Sequence, residues 1–227
     1  MQVNIYGLML LKLVNNLFAF CLITLTLMCP HAFAESIQIS DQFGRPIENV
    51  VVSFTIAEPT SSHKLDVATM DQINKQFAPQ VLVVQKNQTV SFPNSDNIRH
   101  HLYSFSKPKP FQFKMFKGGE SKELTFDQTG IVVLGCNIHD QMVGYIYVAD
   151  NEYTVMTDAQ GIAEIPRGGL AVKLWHSKYS ANKIERKSVQ LPTSRSEHPL
   201  PITMILLADI EVPTKSKFKS KKFSRGN

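Results

Sequence analysis

Hydrophobic and polar positions along residues 80–148 form short apolar runs that polar or glycine-containing turns separate. Val81–Val84 and Val90–Phe92 are apolar runs on either side of a polar turn, and Pro93 follows the second run. Runs of this length that end at Gly, Pro, Asn or Asp are typical of β-strands. Many short strands with regular turns predict a β-sandwich. The same pattern predicts further strands over His100–Phe105, Glu123–Phe126, Ile131–Cys136 and Val143–Val148.

The rest of the chain contains no long segment with the 3.6-residue periodicity of an amphipathic helix, so the predicted fold class is all-β. Residues 71–77 follow a Ser- and Thr-rich loop, and two alternatives stay open for them, a short helix or an irregular lead-in. Trp175, followed by His176, is predicted to end a strand with its indole ring in a core.

The segments on either side of the central region share a second pattern. Residues 37–56 have an Asp-x-x-Gly-x-Pro turn between two strands, and residues 153–165 have a Thr-Asp-x-x-Gly turn between two more. These segments resemble the two halves of a carboxypeptidase-regulatory-like β-sandwich. The resemblance implies a second small sandwich, built from residues 35–60 and 150–212, with the central domain 61–149 inserted between its halves. One continuous sandwich with decorated ends is the alternative.

The first 34 residues have the pattern of a signal peptide. Leu17–Met28 is uncharged and mostly apolar, and Ala32-Phe33-Ala34 is an A-x-A cleavage signature. We therefore predict a signal peptide over residues 1–34, cleavage after Ala34, a periplasmic protein and no integral membrane span after cleavage. An uncleaved anchor is the alternative, but Lys12 interrupts the roughly 20 apolar residues that a spanning helix needs.

Composition and charge describe an ordinary folded protein with a basic end. Hydrophobic residues make up 43% and charged residues 19% of the chain, which are globular proportions. Of the 24 Lys and Arg residues, Lys12 precedes residue 35 and six lie in the tail 213–227, which contains no Asp or Glu. Residues 35–212 therefore have 17 Lys and Arg against 19 Asp and Glu. The tail is predicted to be disordered, with docking to an acidic partner or anionic lipid as the alternative. The near-neutral body offers no basic groove for nucleic acid.

The candidate chemistry lies in the seven residues from Cys136 to Met142, C-N-I-H-D-Q-M, which offer a thiolate, the imidazole of His139 and a thioether. Cys21 and Cys29 fall in the predicted signal peptide, so the mature chain keeps one cysteine, which cannot form an internal disulfide. Soft sulfur ligands select copper, and two imidazoles with one thiolate and a weak axial methionine form a blue-copper site. A second histidine must therefore come from elsewhere in the fold. Haem attachment, structural zinc and a Cys–His hydrolase fit these residues less well.

Several motifs in order resemble the cupredoxins over roughly residues 65–149. They are F-A-P at 77–79, V-S-F-P-N-S-D at 90–96, His100, Gly130 and the C-N-I-H-D-Q-M segment. The C-x2-H-x2-M spacing resembles amicyanin more than the longer plastocyanin loop. The chain is also similar to bacterial periplasmic proteins labelled methylamine utilization proteins.

The resemblance implies a cupredoxin-like Greek-key β-sandwich that holds one type 1 copper ion per chain. The implied ligands are His100, Cys136, His139 and Met142, with His101 as the alternative to His100. It also implies that His139 lies at the exposed end of the site. Apolar residues near the loop, Phe92, Ile138 and Val143, are expected to provide a dry surround that tunes the reduction potential.

The function that these observations predict is a periplasmic one-electron carrier, with no catalytic residues, that serves a redox protein partner such as a dehydrogenase or a cytochrome. A mixed site of two histidines, a cysteine and a methionine stabilises both oxidation states of copper, which favours this interpretation. The alternative is a non-redox copper-binding protein for copper storage, delivery or sensing.

Overall fold

The computed structural model describes residues 34–55, 65–166, 171–192 and 199–208. Apart from Ala34, the predicted signal peptide lies outside the described residues, and so does the predicted basic tail. All the regular elements in these ranges are β-strands, which confirms the predicted all-β class. None of the described segments forms a helix of the length and apolarity needed to cross a membrane. In chain order the strands are Ala34–Ser40 (β1), Val51–Thr55 (β2), Ala68–Thr69 (β3), Asp71–Ile73 (β4), Gln76–Ala78 (β5), Val81–Gln85 (β6), Gln88–Pro93 (β7), His100–Ser104 (β8), Phe111–Phe116 (β9), Ser121–Phe126 (β10), Gly130–Gly135 (β11), Val143–Ala149 (β12), Glu152–Met156 (β13), Ile162–Pro166 (β14), Ala171–Trp175 (β15), Lys187–Gln190 (β16) and Leu200–Thr203 (β17).

The central strands form two facing sheets. One sheet has the order β6-β12-β11-β8-β9, with β6 parallel to β12, and the other has the order β10-β7-β3. Consecutive strands such as β6 and β7, or β9 and β10, lie in different sheets, so the chain crosses repeatedly over the core as in a Greek key. This two-sheet arrangement is the predicted β-sandwich. Its core is a cluster of buried side chains that includes Met70, Phe92, Leu102, Phe126, Leu134, Cys136, Met142 and Ile146.

Strand β12 is buried on both faces because it packs against two layers. Ile146 faces the central core, whereas Tyr145 and Tyr147 contact Trp175 on the opposite face, with ring centroids 5.5 and 6.2 Å apart. Trp175 ends β15 and is fully buried, which confirms the prediction for this residue. Its indole N–H donates to the Lys183 carbonyl oxygen, so the polar end of the ring keeps a partner in the interior.

The strands from the two ends of the described chain form a three-stranded sheet, β14-β1-β17, and a four-stranded sheet, β13-β2-β15-β16. Ile37 on β1 lies opposite Leu200 on the parallel strand β17. These sheets share a second buried cluster, which includes Ile37, Ile39, Val52, Phe54, Ile165, Val172, Leu174 and Met204. The carboxypeptidase-regulatory-like identity of these strands stays a prediction.

Residues 71–77 form neither a short helix nor an irregular lead-in, so both sequence alternatives were wrong. They belong to the hairpin β4–β5, in which Ile73 lies opposite Gln76. Asn74 and Lys75 form the two-residue turn, and both have positive φ angles, 53° and 59°. Turns with positive φ at both central positions match the right-handed twist of the flanking strands.

Candidate metal centre

The segment from Cys136 to Met142 joins β11 to β12 as a short closed loop. The Met142 N–H donates to the His139 carbonyl oxygen at 2.9 Å, and the Cys136 N–H donates to the Met142 carbonyl oxygen at 3.3 Å. These two hydrogen bonds close the loop between the end of β11 and the start of β12. The local sequence therefore places a thiol, an imidazole and a thioether around one tight turn.

A second imidazole comes from the start of β8, on the strand next to β11. The pairing of β8 with β9 shifts register between His100 and Leu102, which marks a β-bulge. Bulges occur often beside functional sites because they re-aim a side chain. The His100 side chain is completely buried and lies beside the loop thiol.

The nitrogen and sulfur atoms of three residues converge on a single point. Cys136 Sγ lies 3.9 Å from His100 Nδ1 and 3.6 Å from His139 Nδ1. All three potential ligand atoms lie within 4.8 Å of one another. A metal–sulfur bond of about 2.3 Å and a metal–nitrogen bond of about 2.0 Å, opened to 120°, place sulfur and nitrogen about 3.7 Å apart. The spacing therefore fits three ligands around one transition-metal ion.

The His101 side chain contacts Gln112 and Tyr103 rather than Cys136. The side-chain amide nitrogen Nε2 of Gln112 lies 2.7 Å from His101 Nε2 and donates to it, and the His101 ring contacts Tyr103 with centroids 5.5 Å apart. Its other nitrogen, Nδ1, is buried and has no hydrogen-bond partner among the described residues. Of the two adjacent histidines, the structure places His100 beside Cys136.

Met142 and the apolar surround complete the site. Met142 is 1% exposed and packs in the same cluster as Cys136, and Phe92 is buried there as well. Ile138 is 46% exposed, so it does not contribute to a dry surround as expected, because the loop turns its side chain toward solvent. His139 is partly exposed, whereas His100 is fully buried. Taken together, one thiol, two imidazoles and a buried thioether are a donor set that fits type 1 copper.

The contribution of Asp96 was not predicted from the sequence, where this residue appears only as the last position of the V-S-F-P-N-S-D motif. Asp96 Oδ2 lies 2.7 Å from His100 Nε2. Burial raises the pKa of the Asp96 carboxyl, but hydrogen bonds from the Lys75 N–H, from His100 and from the Asn74 N–H outweigh it, so the pKa is lower than 3.8. The four-residue spacing between Asp96 and His100 is the only sequence signal of this contact.

Comparisons with known proteins give matches among solved structures alone. No protein-family model matches the chain, and no curated protein matches it. A Cu-containing nitrite reductase from Thermus scotoductus SA-01 is 27% identical over 42% of this chain, with a TM-score of 0.36. The matched part spans 25% of the length of that enzyme.

Two shorter proteins match over nearly their whole length. A purple cupredoxin from Nitrosopumilus maritimus is 22% identical over 36% of this chain and 99% of its own, with a TM-score of 0.34. A reduced Cu(I) form of an amicyanin variant is 18% identical over 43% of this chain and 98% of its own, with a TM-score of 0.35. What the site can bind follows from the donor atoms of Cys136, His100, His139 and Met142 rather than from these similarities.

Proposed function

We propose that the protein is a type 1 copper protein that carries single electrons between redox partners. The observation that supports this proposal is the buried Cys136 sulfur, which lies 3.6 and 3.9 Å from the Nδ1 atoms of His139 and His100. In the proposed site these three residues would hold the metal, and the buried Met142 would supply a weak thioether ligand. Copper, when bound, supplies one-electron exchange between Cu(II) and Cu(I).

The protein contributes a dry and pre-arranged set of ligands. Cys136, His100 and Met142 are each less than 5% exposed, so water has little access to the sulfur atoms or to the inner imidazole. Strand β8 and the loop between β11 and β12 fix the donors before metal binds, which reduces rearrangement between the two oxidation states. Cys136 must lose its proton to bind metal. The partly exposed His139 is the donor through which a partner protein would exchange electrons.

We also propose that the protein is periplasmic and exchanges electrons with another redox protein. The predicted signal peptide supports a periplasmic protein in which Cys136, the free cysteine among the described residues, is kept as a ligand. A periplasmic dehydrogenase or cytochrome is the proposed class of partner, and the resemblance to proteins labelled methylamine utilization proteins is compatible with it. In this proposal the chain has no catalytic residues of its own.

The absorption spectrum of the purified protein with Cu(II) tests the proposal. We expect an intense red-region band that disappears on reduction and returns on oxidation, because a copper–thiolate bond produces it. Cys136→Ser should abolish the band. Ser104→Ala should keep it, because Ser104 is a buried hydroxyl on the neighbouring strand β8 and contacts Ser106 rather than the site. A colourless protein that binds only Cu(I) would refute the carrier and favour copper storage, delivery or sensing.

A further inference from the structure

The imidazole of His100 connects a carboxylate to the proposed metal-binding thiol. Its Nε2 lies 2.7 Å from Asp96 Oδ2, and its Nδ1 lies 3.9 Å from Cys136 Sγ. The ring is fully buried and the Asp96 side chain is 14% exposed. Each ring nitrogen of His100 therefore has one defined neighbour, and solvent does not compete for either.

The Asp96 carboxylate is itself fixed by the tip of the hairpin β4–β5. The Asn74 N–H donates to Oδ1 at 2.7 Å, and the Lys75 N–H donates to Oδ2 at 2.9 Å. Both amides belong to the two-residue turn with positive φ angles, which points consecutive N–H groups to one side. A carboxyl group that accepts two backbone hydrogen bonds is held in its ionised form.

The ionised carboxylate determines where the proton of His100 lies. A carboxylate only accepts hydrogen bonds, so Nε2 must carry the hydrogen of the neutral ring. The lone pair then lies on Nδ1, which faces Cys136. This is the tautomer that can bind a metal beside the thiolate. Partners of this kind orient a ligating histidine and make it a stronger donor.

We propose that Asp96 is a positioning residue that keeps His100 in the Nε2–H tautomer and, through the ring, favours Cu(II) over Cu(I). The hairpin turn at residues 74–75 serves as the support that holds this carboxylate in place. The effect on copper rests on the function proposed above, whereas the effect on the tautomer concerns the metal-free protein. Two measurements therefore test the effect on the tautomer and the effect on copper separately.

The first measurement is nitrogen-15 NMR of the metal-free full-length chain at a pH where His100 is neutral. We expect His100 to carry its proton on Nε2 in the unaltered protein. In Asp96→Asn an amide N–H₂ competes for the position of Oδ2, so a substantial Nδ1–H population should appear. Asp71→Asn is the matched control, because the Asp71 carboxylate binds Ser95 in the same region and makes no bond to His100.

A His100 proton found on Nδ1 in the unaltered protein would overturn the proposal, and this result does not depend on the folding of any variant. The same tautomer in Asp96→Asn as in the unaltered protein would overturn it as well. A change in Asp71→Asn as large as that in Asp96→Asn would also count against it, because the general loss of a nearby charge would then explain the result.

The second measurement is the reduction potential of the copper-loaded proteins. Loss of a partner of a metal ligand typically changes metal affinity by about 10-fold to 100-fold. A tenfold loss of preference for Cu(II) raises the potential of a one-electron couple by about 59 mV. We expect the loss in Asp96→Asn to fall mainly on Cu(II), so its potential should rise by about 59 mV or more, whereas Asp71→Asn should change the potential much less. An unchanged potential in a copper-loaded Asp96→Asn protein would refute the influence on copper while the proposed function stands. If neither the unaltered protein nor the variants bind copper, the proposed function is refuted. The tautomer of His100 in the metal-free protein then remains the test of the role of Asp96.

Discussion

Met142 packs in the core and is proposed to be the axial ligand of copper, and substitutions can separate these two roles. The side chain is 1% exposed and packs in the core of the central sandwich. Truncation of a buried methionine to alanine costs about 2–5 kcal/mol, whereas a change to leucine of similar volume costs less than about 1.5 kcal/mol. Met70 is a matched control, because it is fully buried in the same cluster and has no proposed role in metal binding.

In the metal-free protein, substitutions at Met142 change the packing of the core without changing metal ligation, so the melting temperature reports on packing alone. For a protein of this size a loss of 1 kcal/mol lowers the melting temperature by about 2–4 °C. Met142→Ala should therefore lower it by about 4–20 °C, and Met142→Leu by less than about 6 °C. Met70→Ala and Met70→Leu should behave alike in this experiment, because both positions are buried in one core.

In the copper-loaded protein the two positions should differ. The axial ligand tunes the reduction potential of a blue-copper site, and loss of the thioether removes electron density that stabilises Cu(II). Met142→Leu should therefore raise the potential, whereas Met70→Leu should leave it unchanged. Cyclic voltammetry of the two leucine variants measures this. Equal potentials in Met142→Leu and the unaltered protein would refute the assignment of Met142 as axial ligand.

Substitutions at His100, His176 and Gly144 test three other features of the structure. His100→Ala should abolish the red-region band while His101→Ala keeps it, as measured by copper titration; loss of the band in the second variant alone would reverse the choice of ligand. The pKa of His176 is lowered from 6.5 to about 4, by burial first and then by two nearby lysines, so its contribution to stability is complete above pH 6.5 and is lost as the pH falls toward 4. Urea unfolding at pH 7 and pH 4.5 should show a smaller loss in His176→Asn than in the unaltered protein, and equal losses would contradict this. Gly144→Ala should cost about 1–3 kcal/mol of unfolding free energy, because the new Cβ would lie 2.9 Å from Phe77 side-chain atoms; unchanged urea unfolding would argue against this packing.

The sequence predicted the parts of the site that depend on local spacing. Cys136, His139 and Met142 lie within one loop, so their separation along the chain nearly determines which side chains can share a metal. The sandwich was also predictable, because its strands alternate and end at turn residues. His100 was harder to choose from sequence, since adjacent strand residues point to opposite faces and the pattern does not show which face meets the loop. The register shift in β8 lies at this position.

What the sequence could not show were contacts between segments that are distant in the chain. The bond from the turn at residues 74–75 to Asp96 spans 21 and 22 residues, and no periodic pattern connects them. The hairpin itself was missed because Asn74 is followed by Lys75 rather than by the Gly that favours such turns. Strand β9 was also missed, although Phe111 and Phe113 alternate with polar neighbours. β9 is an edge strand in which only Phe116 is buried, so its apolar pattern is weak, and pairing with β8 is what stabilises it.

His100 lies on a strand, 36 residues before Cys136, so a copper ion bound to both would be more than a redox centre. A metal bound to both residues cross-links the chain and closes a loop that would be open in the unfolded state. For a disulfide over a loop of this length, the loss of chain entropy stabilises the folded state by about 4 kcal/mol. Copper would therefore be a cross-link between β8 and the loop after β11. The loaded protein should therefore resist heat and proteolysis better than the empty one, so copper supply would control how long the protein survives as well as whether it carries electrons.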